Sequence, residues 1–174
     1  RDLVKRATIL GTHLQKTTVQ GENVGILLPN SAGTVGVFFA LQSIGRVAAM
    51  LNFTSGIPAI LSALSTAGIK TVLTSHRFVE MAHLESLVAA IETVVHIRYV
   101  EDIRTELTLT DKLSGFFPEK SKGVSPQDPA VILFTSGSEG NPKGVVLSHS
   151  NLMSNIIQLA SRVDFNQSDV VFNC

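Results

Sequence analysis

The stretch Ala130-Val131-Ile132-Leu133-Phe134-Thr135-Ser136-Gly137-Ser138-Glu139-Gly140-Asn141-Pro142-Lys143-Gly144-Val145-Val146-Leu147-Ser148 decides the fold. Five apolar residues, a turn-rich loop and a second apolar run read as strand, loop and strand. The first run is unbroken rather than alternating, which is the pattern of a strand buried on both faces. The loop holds three glycines, three hydroxyls on Thr135, Ser136 and Ser138, and one cation, Lys143, with Pro142 stiffening the chain before it. Glycines let successive backbone N–H groups turn into one concavity. A donor-rich loop of little bulk with one mobile positive charge suits a polyphosphate.

Upstream, apolar runs of strand length alternate with helical periods. Asp2 caps a pattern of Leu3, Ala7, Leu10 and Leu14, and residues 24–28 form a strand stopped by Pro29-Asn30. Ser31 caps a helix carrying Val37, Phe38, Leu41 and Ile44, and residues 47–51 form a second strand. Pro58 sits in the first turn of a third helix with Ile57, Ile60, Leu61 and Leu64, which Gly68 closes. Residues 70–74 are a third strand, residues 77–91 one helix bearing Met81, Leu84, Leu87, Val88 and Ile91, and residues 94–100 a fourth strand. Across residues 101–128 the pattern weakens to one short helix at 109–113 and a loop at 117–126. Downstream, Ser150 caps a helix with Leu152, Ile156, Leu159 and Val163. The prediction is an α/β fold with a largely parallel sheet flanked by helices, built from repeated βαβ units as one domain over residues 1–174. Ligands in such sheets bind beyond the carboxyl ends of the strands, which singles out the loop at 135–144.

Composition narrows the classes. The chain has 174 residues, and 14 Lys and Arg balance 14 Asp and Glu, with a pI near 7.2 and a mean hydropathy of +0.29. No basic stripe exists to follow a phosphate backbone, so no nucleic-acid partner is expected. Charged residues are 16% of the chain, against about 25% in an ordinary soluble domain, which excludes a solvating or disordered segment. The single cysteine, Cys174, excludes a disulfide framework and a cysteine-ligated zinc. Residues 32–51 are greasy enough to approach a membrane span, but Gln42, Ser43, Arg46 and three glycines interrupt them, so they read as buried helix, turn and strand. An opening at Arg1 without methionine, no signal peptide, and an end inside an apolar run lead to the expectation of a piece of a longer protein.

Several chemical signatures are absent or incomplete. A Walker loop needs Gly-Lys followed by Ser or Thr opening a helix, whereas here Lys143-Gly144 leads into a strand. No Gly-x-Gly-x-x-Gly follows the first strand, and no Gly-x-Ser-x-Gly elbow marks a hydrolase. Glu80 and His83 form half of a carboxylate-bridged metal site whose other half is missing, so no metal is assigned. His13, His76 and His96 are isolated in sequence, and Glu101, Asp102 and Glu106 read as a solvated acidic cluster. His149 reads as a packing or capping residue rather than an acid–base group.

Residues 134–149 as a whole resemble the phosphate-loop signature of the acyl-adenylate-forming ligases, a superfamily of acyl-CoA synthetases, luciferases and peptide-synthetase adenylation domains. Val24-Gly25-Ile26-Leu27-Leu28-Pro29-Asn30-Ser31, the stretch 45–52 and Ser150-Asn151-Leu152 are similar to that family as well, so the likeness spans the chain and is strongest over 130–155. Most members carry threonine where this chain has Glu139. The Ser-Glu-Gly variant resembles the bacterial bifunctional 2-acylglycerophosphoethanolamine acyltransferase/acyl-acyl-carrier-protein synthetases. A carboxylate beside a triphosphate is unfavourable unless a cation relieves it, so Glu139 is expected to face solvent.

The resemblance implies a reaction in two steps. A fatty acid carboxylate attacks the α-phosphorus of ATP, releasing pyrophosphate and leaving an acyl-adenylate, and a phosphopantetheine thiol of acyl carrier protein or CoA then takes the acyl group. It implies Mg²⁺ with ATP, and phosphate binding by Thr135, Ser136, Gly137, Ser138, Gly140, Lys143 and Gly144. It also implies that the adenine, ribose and catalytic-lysine segments lie outside this chain, which is then catalytically silent by itself, with no catalytic residue of its own. The whole protein is expected in the cytoplasm or at the cytoplasmic face of a bacterial inner membrane, with peripheral membrane contact. Fatty acyl-CoA synthetase and a non-catalytic phosphate-binding module remain the alternatives.

Overall fold

The apolar runs form the interior of a six-stranded sheet ordered β4-β3-β1-β2-β5-β6. The computed structural model describes residues 2–116, 123–135, 142–166 and 168–170. Strands β1 (Asn23–Ile26), β2 (Val47–Met50), β3 (Thr71–Thr74), β4 (His96–Tyr99) and β5 (Pro129–Thr135) run parallel. Strand β6 (Lys143–Ser148) returns antiparallel against β5 as the edge. Helices α1 (Asp2–Leu14), α2 (Ala32–Ser43), α3 (Ile57–Thr66), α4 (His76–Met81), α5 (Glu85–Glu92), α6 (Val100–Glu106), α7 (Leu109–Ser114) and α8 (His149–Ala160) complete the chain, with a 3₁₀ turn at Phe53–Ser55.

Alternation along the strands divides the core in two. Val24, Ile26, Ala48, Leu73 and Val131 face one layer with Leu14, Val37, Leu41 and Ile103 from α1, α2 and α6. Leu27, Val47, Ala49, Val72 and Ile132 face the other, with Ile60, Leu64, Phe78, Leu87, Val88 and Ile91 from α3, α4 and α5. Each face is therefore covered by helices, as parallel strands with continuous apolar runs require. The expected α/β class and the dissolution of residues 32–51 into α2, a turn and β2 both hold. Among the described residues no helix is long and apolar enough to cross a membrane.

Four expectations need correction. The helix read over 77–91 is two helices, α4 and α5, because His83 adopts φ 53°. Its N–H donates to Glu80 O at 3.3 Å and that of Leu84 to Val79 O at 2.9 Å, the paired bonds of a helix ended by a left-handed residue. Apolar spacing survives the break, and Met81 is left 66% exposed. A helix missed in the weak region, α6, buries Ile103 completely. The cap of α8 is Ser148, not Ser150: its hydroxyl accepts from the Asn151 N–H while the Asn151 side chain accepts from the Ser148 N–H. Finally, α8 contributes no buried residue, and Ile156 and Leu159 stand exposed with Val145 and Val146 of β6.

Candidate functional site

Thr135 is the last residue of β5 and Lys143 the first of β6, and the two are directly paired across the hairpin, next to the pair Phe134 and Gly144. Because β5 is parallel to β2, the hairpin mouth opens at the carboxyl edge of the sheet, where the strand pattern directed attention. Thr135 Oγ1 lies 3.5 Å from the Lys143 carbonyl oxygen. The Lys143 side chain is exposed and forms no ion pair with any described residue. Gly144 is set by packing. A Cβ there would lie 3.3 Å from Ile132 Cγ2 and 3.4 Å from Phe134 Cε1, so a side chain would press the strand off its neighbour. The structure thus brings Thr135, Lys143 and Gly144 together at one mouth. Ser136, Gly137, Ser138, Glu139 and Gly140 lie outside the described residues.

His149 is not at this mouth. Strand β6 separates it from Lys143 by six residues, about 17–20 Å at the rise of an extended chain, so it stands at the opposite edge. Its N–H donates to Asp128 O at 3.2 Å and the next, of Ser150, to Pro126 O at 2.8 Å, which ties the start of α8 to the segment entering β5. That agrees with a packing role.

His13, His76, Glu101, Asp102 and Glu106, read as isolated or solvated, are engaged. His13, only 6% exposed, places Nδ1 3.2 Å from Asp111 Oδ2 and Nε2 3.1 Å from Glu106 Oε2. Both ring nitrogens of His13 thus face carboxylate oxygens. Lys16 Nζ donates to Asp111 Oδ2 at 2.8 Å, and Arg98 to Glu106 at 2.7 Å. Burial alone would raise the Asp111 carboxyl, but hydrogen bonds from Lys16, Thr108 and His13 outweigh it and hold the group well below the usual carboxylate range.

Glu101 accepts from Ser75 Oγ at 2.5 Å and from the His76 N–H at 3.1 Å, closing the start of α4. Burial pulls its carboxyl upward, while the Ser75 and backbone hydrogen bonds bring the net shift below the ordinary value. His76 stacks on Tyr99 with ring centres 3.6 Å apart and lies 3.1 Å from both Asp102 oxygens. These contacts are structural and lie across the sheet from the hairpin mouth. The only foretaste of them in sequence is Thr108-Leu109-Thr110-Asp111, a capping box that α7 uses. Glu80 and His83 build no metal site: among the described residues no group of three or more His, Cys, Asp or Glu can hold an ion.

The chain belongs to the AMP-binding enzyme family, whose sequence model matches residues 1–174. It is 30% identical over 141 residues to "4-coumarate--CoA ligase-like 6" of Arabidopsis thaliana, covering 79% of this chain and 24% of that protein. Its fold matches the crystal structure of VinN with a TM-score of 0.80 at 22% identity, over 97% of this chain and 43% of that one. The Klebsiella oxytoca NpsA N-terminal subdomain in complex with 3-hydroxyanthranilyl-AMSN matches at TM-score 0.66 and 26% identity, over 86% of this chain and 33% of that one. The chain thus spans about a quarter of the length of the plant ligase-like protein and less than half of either solved structure.

Proposed function

We propose that this chain is the part of an AMP-forming acid–thiol ligase that grips the triphosphate of ATP. The observation that carries the reading is the hairpin mouth, where Thr135 pairs with Lys143 at the carboxyl edge of the sheet and the Lys143 side chain forms no ion pair with a described residue. In this reading Lys143 and the loop amides hold the β- and γ-phosphates, the leaving pyrophosphate, and the hydroxyls of Thr135, Ser136 and Ser138 orient them. Gly137, Gly140 and Gly144 keep the cradle free of side chains. In-line substitution at phosphorus asks a protein chiefly for positioning and charge stabilisation, and this chain supplies both for the departing group. Mg²⁺, arriving on the triphosphate, would supply further charge neutralisation there. The whole-chain family match and an N-terminal subdomain of NpsA solved with an AMSN ligand support the assignment.

Within that class, the proposed acid is a fatty acid and the proposed thiol the phosphopantetheine of an acyl carrier protein, on the strength of the Ser138-Glu139-Gly140 variant. Coenzyme A is the second reading for the acceptor, favoured by the CoA ligases among the relatives. The test is acid-dependent ATP–pyrophosphate exchange by the full-length protein across fatty and aromatic acids, followed by thioester formation with each acceptor. Absence of exchange with every acid overturns the ligase reading, and exchange with aromatic acids alone overturns the fatty acid assignment. Transfer to CoA but not to carrier protein selects the second reading.

A further inference from the structure

A second cavity, of about 1040 Å³, opens over the carboxyl ends of β1 and β3, between α1, α2, α4 and α6. It coincides with the point where the strand order reverses. From β1 the chain crosses to α2 on one face of the sheet, and from β3 it crosses to α4 on the other. Crevices at such points are the usual ligand sites of open parallel sheets. This one is two strands away from the hairpin mouth, since β2 and then β5 follow β1 in the sheet.

Its lining has a simple chemistry. Leu10, Leu28, Val37, Phe78, Met81 and Ile103 supply apolar wall, and Arg6, Arg77 and Arg104 reach it from three different helices. No side chain of these arginines forms an ion pair or hydrogen bond with a described residue, although the Arg77 backbone N–H bonds to Glu101, and Asp2 is the only carboxylate among the described residues of the wall. The hydroxyls present are already engaged: Ser31 with Thr34, Thr34 with Pro29 O, and Ser75 with Glu101. A nucleoside would therefore meet few free partners for its base and sugar, whereas an apolar body with a negative end would match both parts of the lining. The volume lies at the upper end of ordinary small-molecule sites, roughly 300–1,000 Å³.

We propose that this crevice binds an amphipathic anion: an apolar chain, held among the aliphatic walls, ending in a carboxylate or phosphate among Arg6, Arg77 and Arg104. Guanidinium groups bind both oxyanions through paired N–H donors. The site is separate from the phosphate loop and stands whether or not the protein proves to be a ligase.

The test is calorimetric titration of the full-length protein, without ATP, using dodecanoate, dodecyl phosphate and dodecanol below their micelle concentrations. At least one anion is expected to bind, and dodecanol at least tenfold more weakly. Preference for phosphate points to a lipid phosphate as the natural source, and preference for carboxylate to a free fatty acid. Gly36 lies on the wall, and a Cβ built there meets no atom within 4 Å, so Gly36→Leu fills the space from inside. This variant should lose one bound anion per chain while keeping its melting temperature. The double substitution Arg6→Gln with Arg104→Gln, on exposed positions, should weaken the same event about tenfold. ATP–pyrophosphate exchange, where present, should be unchanged in both variants. The proposal is overturned if neither anion binds, if dodecanol binds equally, or if folded Gly36→Leu and the double variant both retain the full stoichiometry and affinity.

Discussion

Replacing Asp111 by asparagine keeps the shape of the side chain and removes its charge, which isolates the ionic junction between α1 and α7. One oxygen, Oδ2, accepts from Lys16 Nζ, His13 and the Thr108 N–H, and the residue is only 1% exposed. Hydrogen bonds to a charged group contribute about 1.5–3 kcal/mol and neutral ones about 0.5–1.5 kcal/mol. The Lys16 and His13 bonds to the carboxylate therefore each lose about 1 kcal/mol when it is neutralised. The Thr108 bond loses less, and the Lys16 end is partly screened because that side chain is 47% exposed. The variant should be less stable by about 2–3 kcal/mol, which for a chain of this size lowers Tm by roughly 5–10 °C.

The assay is thermal unfolding of the 174-residue chain by circular dichroism from pH 3 to pH 8. The sign follows from linkage. A carboxyl held below its ordinary value stabilises the fold fully above the unfolded value, about 3.9, and loses that contribution as pH falls through the depressed folded value. The Asp111 contribution to the gap between wild type and Asp111→Asn should therefore shrink below about pH 4. A Tm change under 2 °C, or a gap that widens in acid, would refute the reasoning.

Lys143→Ala in the full-length protein should cost about 2–4 kcal/mol of transition-state stabilisation in ATP–pyrophosphate exchange, the scale for losing one preorganised charge partner, and unchanged exchange kinetics would remove Lys143 from the site. The 174-residue chain alone should show no acid-dependent exchange above background, measured with the same assay. Gly11→Ala should destabilise by about 1 kcal/mol although it removes a glycine from a helix, because the new Cβ would stand 2.6 Å from Ser43 Oγ and 2.9 Å from the Ala40 carbonyl oxygen where α1 crosses α2; a raised urea midpoint would contradict this. Arg46→Met should cost about 2 kcal/mol in the same measurement. The buried guanidinium, its pKa lowered by desolvation, donates to Thr18 Oγ1, Thr18 O and Ile44 O, and no other described donor replaces it.

What was legible in the sequence is what depends on near neighbours. Strands β1, β2 and β5 lie in continuous apolar runs, and Ser31 and Pro58 mark helix starts through their own backbone chemistry. The break at His83 was hidden because the apolar spacing of Leu84, Leu87, Val88 and Ile91 continues through it, and a histidine in the left-handed region carries no glycine to announce it. The helix α6 was hidden for a different reason. Its charged residues read as solvated, yet Glu106 meets His13 across 93 positions. No periodicity within a window of one helix reports such a pair. The arginine-lined crevice was equally invisible, since Arg6, Arg77 and Arg104 are adjacent only in the fold.

In the proposed reading the hairpin must offer positive charge to a bound triphosphate. In loops that lead into a helix, the helix N-terminus adds partial charge and free N–H groups toward a bound phosphate. Here the chain enters β6, whose first residue is Lys143, and a strand contributes no comparable dipole. The compensation lies in the stems. Both ends of the seven-residue connection are paired into the sheet, Thr135 against Lys143 and Phe134 against Gly144, so the lysine backbone is anchored while its side chain forms no ion pair with a described residue. If the loop binds phosphate as proposed, a point charge on a fixed stem carries a share of anion stabilisation that a helix would otherwise provide. That is why Lys143, rather than any hydroxyl of the loop, is the residue whose loss is expected to be felt most.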